Sequence, residues 1–381
     1  MKPPKTNGHV GVKLPRTGAK VRLPATIQVL LPQTSRMGDN KASSNQPLRI
    51  KTLASLFLKW ILFLSIFLIG VPLPLQAKSH DRPAPVGVQT LVLHDGARNR
   101  DVPIKVYYPR GQSPALRFPV ILFSPEAGSS KDAYGYLGNY WAQHGYVCVS
   151  LTHKGSDAFL LKRGRPLASL RAIIESTQKD ENLINRPLDI SFVIDSLPTI
   201  EDQVSNIKDR IDPTRLGVAG HSFGAYTALA TAGAVVHLSD GTPRSFQDNR
   251  IVCFIALSSP GLSTLGFDAE SFRPILRPVL TMSGSQDRGL NGEPADWRLE
   301  TYKHLPLHHK FQIVIQGAAH MDFNDRQFDG SRGNTRYHSY IEKATLAFWD
   351  AYLKDNQTIQ QQLSTGNFPP SKGVKAVVQF K

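Results

Sequence analysis

Residues 215–234 read RLGVAGHSFGAYTALATAGA, and this stretch decides the class of fold. Its first part is small and apolar, as in a buried strand, and its last ten residues favour a helix. Ser222 lies between the two parts in the pattern G-x-S-x-G, flanked by Gly220 and Gly224. On a sharp turn from strand to helix, flanking glycines relieve crowding and the helix N-terminus favours developing negative charge. The pattern predicts a nucleophilic Ser222, and the alternative is a serine that only caps the helix.

From about Val86 onward, short apolar runs alternate with longer helical patterns. Residues 88–93 and 102–109 alternate in polarity around a polar turn, which predicts an antiparallel hairpin. Denser runs, typical of parallel strands covered by helices, are 119–124, 145–151, 215–220, 251–258, 278–284 and 311–317. Helical patterns fall at 133–144, 187–197, 225–234 and 339–354. The sequence therefore predicts an α/β fold, with a mostly parallel central sheet and helices on both faces.

The reactive groups of such sheets gather at the carboxyl ends of the strands, so each candidate should follow a predicted strand. His320 and Asp287 each follow one of these runs, as Ser222 does. In this chain order, the histidine would take the proton of the serine and the aspartate would orient the histidine. His153 also follows a strand and is the rival base. For Asp287 the alternative is a role in stabilising a turn.

The net charge of +15 is concentrated at the N-terminus. Residues 1–78 hold 12 of the 45 basic residues but only one of the 30 acidic residues, Asp39, so the remainder is close to neutral. A nucleic-acid partner is therefore not expected. Residues 1–52 are polar and basic with no apolar period, which predicts disorder.

Residues 53–78 predict a secretory signal peptide or a membrane anchor. Basic residues lead into an apolar run at 60–71, which two prolines and a small residue follow. This run is short for a membrane span, but the leucines before it would lengthen it into an anchor, with membrane association through residues 53–75. In either form, the segment predicts export of a domain at 79–381. Cleavage of the segment and a start at Met37 are left open.

Several motifs together make the chain resemble the α/β-hydrolase superfamily, and more narrowly the dienelactone-hydrolase-like esterases and platelet-activating-factor acetylhydrolases. The resemblance runs from about residue 87 to 354. Besides the Ser222 turn, its motifs are FPVILFSPEAG at 118–128, NRPLDISFVIDSL at 185–197, SGSQD at 283–287 and GAAHMDF at 317–323. It implies an α/β-hydrolase fold and a serine esterase that uses Ser222, Asp287 and His320 on small-molecule esters, with short acyl groups favoured.

The same resemblance implies that two backbone amides, those of Phe223 and Ala127, bind the oxyanion. Here the sequence departs from the family pattern, because relatives usually carry His-Gly before the second donor and this chain has Pro-Glu. A carboxylate facing the site would repel the oxyanion. Either Gly128 and Ser129 restore the loop or, as we expect, Glu126 points to solvent.

The two cysteines of the chain, Cys148 and Cys253, lie in apolar runs typical of strands. The strand order implied by the resemblance puts them about three strands apart, or ~14 Å, which is beyond the reach of a disulfide. We therefore expect two free thiols.

The long connection at 157–185 has a helical pattern and is expected to form a lid or a pocket wall. Phe159, Leu160 and Trp297 are candidates for lining the pocket, and plain packing is the alternative for each. The connection bears on substrate size rather than on the chemistry.

The sequence predicts an exported serine ester hydrolase. It contains no phosphate-binding or dinucleotide-binding motif, so no cofactor is expected, and no metal ligand set is expected either. An amidase or a thioesterase would use the same residues. A binding protein on the same fold, impaired at Glu126, is a further alternative. Acyl and alcohol specificity and the oligomeric state are left open.

Overall fold

Residues 84–162, 164–325 and 334–381 are described by a computed structural model of the chain. The segments predicted as disordered, 1–52, and as signal or anchor, 53–78, lie outside these residues, so both stay predictions. Among the described residues, none of the helices combines the length and the apolar character needed to cross a membrane.

A nine-stranded sheet forms the framework of the described residues. Its strands are β1 (Val86–Asp95), β2 (Arg100–Pro109), β3 (Phe118–Ser124), β4 (Val147–Leu151), β5 (Ile211–His221), β8 (Ile251–Leu257), β9 (Val279–Gly284), β10 (Lys310–Ile315) and β11 (Ala376–Phe380). Two short strands, β6 (Val235–His237) and β7 (Pro243–Ser245), pair with each other in a separate two-stranded sheet. The order in the large sheet is β1-β2-β4-β3-β5-β8-β9-β10-β11.

The central strands of this sheet, from β4 to β10, are all parallel. Antiparallel strands close both edges, the β1–β2 hairpin on one side and β11 on the other. The predicted α/β class, the mostly parallel sheet and the N-terminal hairpin are therefore confirmed. The edge strand β11 was not predicted from the sequence.

Helices cover both faces of the sheet, as expected for strands that are apolar on both sides. They are α1 (Gly135–Gln143), α2 (Pro166–Thr177), α3 (Asp180–Asp195), α4 (Leu197–Gln203), α5 (Phe223–Ala232), α6 (Glu300–His304), α7 (His338–Tyr352) and α8 (Gln357–Leu363). One core cluster joins the sheet to α3, α4 and α5, and a second joins its other face to α1, α7 and α8.

Helix α3 begins earlier than the sequence predicts. We expected a helix from residue 187, because a proline suits the first turn of a helix. The structure instead continues α3 through Pro187 and begins it at Asp180, where Asp180 and Glu181 in the first turn complement the helix dipole. The earlier start brings Arg186 and Asp189 onto one helix, one turn apart.

The two cysteines lie on β4 and β8, which are three strand steps apart in the sheet. Both thiols are free and buried, so the prediction of two free thiols is confirmed. Burial raises the pKa of Cys148 above its ordinary value, which keeps this thiol protonated and unreactive at neutral pH.

Candidate active site

Ser222 lies on a tight turn between β5 and α5, with a φ of 56° and a ψ of −114°. A side chain at Gly220 would collide with the backbone carbonyl of Gly224, and one at Gly224 would collide with the carbonyl of Ser124. Both glycines are therefore required by the close approach of three backbone segments. This local geometry is the strained strand-to-helix turn that exposes a nucleophile in G-x-S-x-G proteins.

Asp287 and His320 are brought together from two separate connections at the carboxyl edge of the sheet. The Nδ1 atom of His320 is 2.8 Å from Oδ1 of Asp287. With the proton on Nδ1 donated to the carboxylate, the Nε2 atom is left as a base. Ser222 and His320 line the same cavity, while Asp287 lies fully buried behind the histidine.

Arg298 is a buried partner of Asp287 that the sequence did not reveal. Its Nε donates to Oδ1 of Asp287 at 2.8 Å, and its Nη1 donates to the carbonyl of Ser258 at 2.9 Å. Burial by itself would raise the pKa of Asp287, but its interactions with His320 and Arg298 hold it well below its usual range. Asp287 is therefore ionised at neutral pH, as an orienting carboxylate must be.

The two expected oxyanion donors border the cavity. Phe223 is the first residue of α5, so its amide has no partner within the helix. Ala127 lines the cavity in the loop after β3. In this loop the positive φ of 78° is at Gly128, whose amide donates to the carbonyl of Ser156 at 2.8 Å. Glu126 has no positive φ, so the backbone strain that a missing glycine would cause does not arise there.

Glu126 does not point to solvent, and that expectation is wrong. Its side chain is only 3% exposed, and its Oε1 accepts a hydrogen bond from the amide of Asn324 at 2.5 Å. Its Oε2 is 3.5 Å from Nδ1 of His221 and 3.9 Å from Nε2 of His320. The carboxylate is held by residues far along the chain, and it lies beside the expected base.

Glu126 belongs to a buried network beside His320, and like His320 it lines the cavity. The hydroxyl of Tyr134 is 2.6 Å from Nδ1 of His221, and the His221 and His320 rings are 4.6 Å apart. Burial would raise the pKa of Glu126, but hydrogen bonding and charge from His221, with His320 and Asn324, hold it below its ordinary value. Burial lowers the pKa of His221, and the neighbouring His320 adds to this effect. At neutral pH we therefore expect an anionic Glu126.

His221, the residue before Ser222, packs against the expected base. Oxygen and nitrogen atoms of Glu126, His221 and His320 lie within 4.8 Å of one another, close enough to be considered as a metal ligand set. However, Nδ1 of His221 already has Tyr134 as its partner. The cluster is explained as a hydrogen-bonding network, and no metal site is proposed from it.

His153, the rival base, is fully buried and does not line the cavity. Its Nε2 is 2.9 Å from Oγ of Ser124, and its Nδ1 is 2.9 Å from Oδ2 of Asp189. Burial and the charge of Arg186 lower the pKa of His153 to about 4, so it is neutral at pH 7. Its surroundings favour His320 over His153 as the base.

The cavity at the carboxyl edge has a volume of about 530 Å³, within the range of small-molecule sites. Helix α2 contributes Ile173 and Ile174 to its wall, and Trp297 lines it as expected. Phe159 is 90% exposed and lines no part of the cavity, and Leu160 packs against the core instead. The connection at 157–185 therefore forms a pocket wall through α2 and the start of α3.

Curated relatives of the chain are platelet-activating factor acetylhydrolases. That of Cavia porcellus is 21% identical over 280 residues, 64% of this chain and 60% of the relative. Those of Bos taurus and Canis lupus familiaris are both 23% identical, over 57% and 56% of this chain and 50% and 49% of the relatives. The chain thus spans about half to three-fifths of the length of these relatives. No family model matches it.

The fold and the site together define an α/β protein with a serine turn and an aspartate–histidine pair at the carboxyl edge of its sheet. The relatives confirm, at low identity, the resemblance to platelet-activating-factor-acetylhydrolase-like proteins of the α/β-hydrolase type.

Proposed function

We propose that the protein is a serine hydrolase that cleaves carboxylic esters. The hydrogen bond between His320 and Asp287 carries the proposal, because it leaves the Nε2 atom of His320 unprotonated in a cavity that Ser222 also lines. The name of the relatives describes removal of an acetyl group, which supports ester hydrolysis in general. Amidase and thioesterase activities would need the same groups, but no observation favours them.

In the proposed reaction, Ser222 Oγ attacks the ester carbonyl while His320 Nε2 takes its proton. The amides of Phe223 and Ala127 bind the oxyanion. His320 then returns the proton to the departing alcohol, which leaves an acyl group on Ser222. Water, deprotonated by the same histidine, releases the acid and restores the serine. Throughout, Asp287 holds the imidazole in the required tautomer and stabilises its charged form.

Short acyl groups are the favoured substrates in this proposal. The acetyl group in the name of the relatives supports this choice. The remaining volume of the cavity, with apolar walls from Ile173, Leu183 and Trp297, would accept an apolar alcohol portion. A panel of p-nitrophenyl acetate, butyrate and octanoate tests the acyl preference, and kcat/KM falling from acetate to octanoate is the expected result.

Covalent labelling tests the proposed nucleophile directly. A fluorophosphonate probe should label the full-length protein once, and peptide mapping should find the adduct on Ser222. Labelling should be lost when acetyl ester is present in excess, because both compounds compete for one serine. An adduct on another serine, or no adduct with a folded protein, would contradict the proposal.

A binding protein with an impaired site is the second candidate, and the position of Glu126 is what favours it. An anionic carboxylate 3.9 Å from His320 Nε2 opposes a developing oxyanion nearby. If the wild type is inactive and Glu126→Gly turns over p-nitrophenyl acetate, this second candidate is correct. Turnover by the wild type excludes it.

A further inference from the structure

The two proposed oxyanion donors belong to two segments whose relative position must be fixed. One is the loop Ser124 to Ala127 after β3, and the other is the start of α5 at Phe223. The segments abut, because a side chain on Gly224 would collide with the carbonyl oxygens of Ser124 and Pro125. A shift of either segment by a fraction of an ångström would separate the two donors.

Arg186, on α3, is bound to both segments. Its Nη2 donates to Oγ of Ser124 at 3.0 Å and to the carbonyl of Pro125, while its Nε donates to Oγ1 of Thr227 on α5 at 3.0 Å. Its Nη1 donates to Oγ of Ser156 at 2.7 Å. The guanidinium is a planar, rigid fork that can fix several acceptors at once.

The same guanidinium also lies over the ring of Phe223, 4.4 Å from its centroid. Ser156, which accepts from Arg186, uses its carbonyl to accept from the amide of Gly128 in the oxyanion loop. Arg186 therefore contacts the residue that supplies one donor, and it supports the residues on both sides of Ala127.

Arg186 is a buried cation that lacks a direct carboxylate partner in the part of the chain described here. Its four hydrogen bonds go to hydroxyl and carbonyl oxygens. Asp189, one turn further along α3, is engaged by Arg98, Arg100 and His153 instead. Burial lowers the pKa of Arg186 to about 9, so it stays protonated at neutral pH. Its charge is therefore only partly neutralised, and it lies against the two segments that carry the proposed oxyanion donors.

A second serine–histidine–aspartate array fixes Ser124 from the other side. The hydroxyl of Ser124 accepts from Arg186 and can donate to Nε2 of His153, whose Nδ1–H donates to Asp189. All of these groups are buried and none lines the cavity. The array is therefore not a second active site, and its effect is to hold the end of β3 in one position.

We propose that Arg186 is a positioning residue of the oxyanion hole, which clamps the loop of Ala127 against the start of α5 and stabilises the oxyanion with its charge. This inference rests on the proposed esterase function. It also explains how a loop with Pro-Glu in place of His-Gly keeps its shape. The hydrogen bonds from Arg186 on α3 fix the conformation of this loop.

The test compares Arg186→Gln and Arg186→Lys with the wild type on p-nitrophenyl acetate. Arg186→Gln should lower kcat about 100-fold with KM within about threefold, because the oxyanion is present only in the transition state. The affinity for a trifluoromethyl ketone, which forms a tetrahedral adduct with the serine, should fall in parallel with kcat/KM. Arg186→Lys keeps the charge but not the fork, so its kcat should lie between those of the wild type and Arg186→Gln.

Lys310→Met is the matched control for loss of a buried cation. Lys310 donates to the carbonyls of His308 and Leu276 at the amino end of β10, away from the cavity. The Lys310→Met substitution should lower the thermal stability and leave kcat and the affinity for the ketone unchanged. An Arg186→Gln enzyme with kcat within threefold of the wild type would overturn the proposal, as would a Lys310→Met enzyme with an equal loss.

If Arg186→Gln fails to fold, Thr227→Val is the variant to measure. It removes the hydroxyl that accepts a hydrogen bond from Arg186 Nε and keeps the arginine. A fall of about tenfold in kcat at constant KM is then expected, and an unchanged kcat overturns the proposal. Failure of the proposed function looks different, because the wild type would then be inactive or Ser222→Ala would be active.

Discussion

Ser222→Ala should lower kcat for p-nitrophenyl acetate by at least about a thousandfold, with little change in KM. The hydroxyl is the only group that the proposed mechanism uses to form a covalent bond, so its loss removes the acyl-enzyme route altogether. Substrate binding depends mainly on the cavity walls, which the substitution leaves in place. Steady-state kinetics at pH 8 give both constants. The initial burst of p-nitrophenol that acylation of Ser222 produces in the wild type should be absent from Ser222→Ala.

Ser245→Ala, on the exposed strand β7, is the matched control and should behave as the wild type. The fold of Ser222→Ala should be intact, because its backbone conformation is imposed by Gly220 and Gly224 and not by the serine side chain. A folded Ser222→Ala enzyme that keeps more than about a tenth of the wild-type kcat would exclude Ser222 as the nucleophile.

The sheet and the serine turn could be predicted because their signals are local. The run at 251–258 corresponds to β8 at Ile251–Leu257, and the Ser222 pattern falls where β5 gives way to α5. Such runs report burial on both faces of a strand, which depends on neighbouring residues in the sequence. The edge strand β11 gives a weaker signal because most of its residues stay partly or fully exposed.

Contacts between distant residues could not be predicted from local patterns. Glu126 is held by Asn324, 198 residues away, and Arg186 reaches Ser124 across 62 residues. A carboxylate after a strand is normally solvated, so exposure was the reasonable expectation for Glu126. Arg298, 11 residues after Asp287, has no motif that marks it as a partner. The contacts of these residues can be recognised only in the folded structure, which brings their segments together.

Asp287→Asn should lower kcat by about 10³- to 10⁴-fold while leaving KM within about threefold. The carboxylate accepts the Nδ1 proton of His320 at 2.8 Å. An asparagine amide can present its NH₂ group to that nitrogen, which would move the imidazole proton to Nε2, where it blocks proton transfer from Ser222. The neutral amide also gives up the stabilisation of the imidazolium that forms in the transition state.

The pH dependence separates this tautomer effect from simple unfolding. In the variant, kcat/KM should rise with pH beyond the range in which the wild type is constant, because a deprotonated serine or a hydroxide attack no longer needs the histidine. Asp248→Asn is the control, since Asp248 is also a poorly exposed carboxylate paired with an arginine, Arg250, but lies outside the cavity. It should lose stability and keep kcat. If Asp287→Asn loses no more activity than this control, then Asp287 only stabilises the turn after β9, and another group must orient His320.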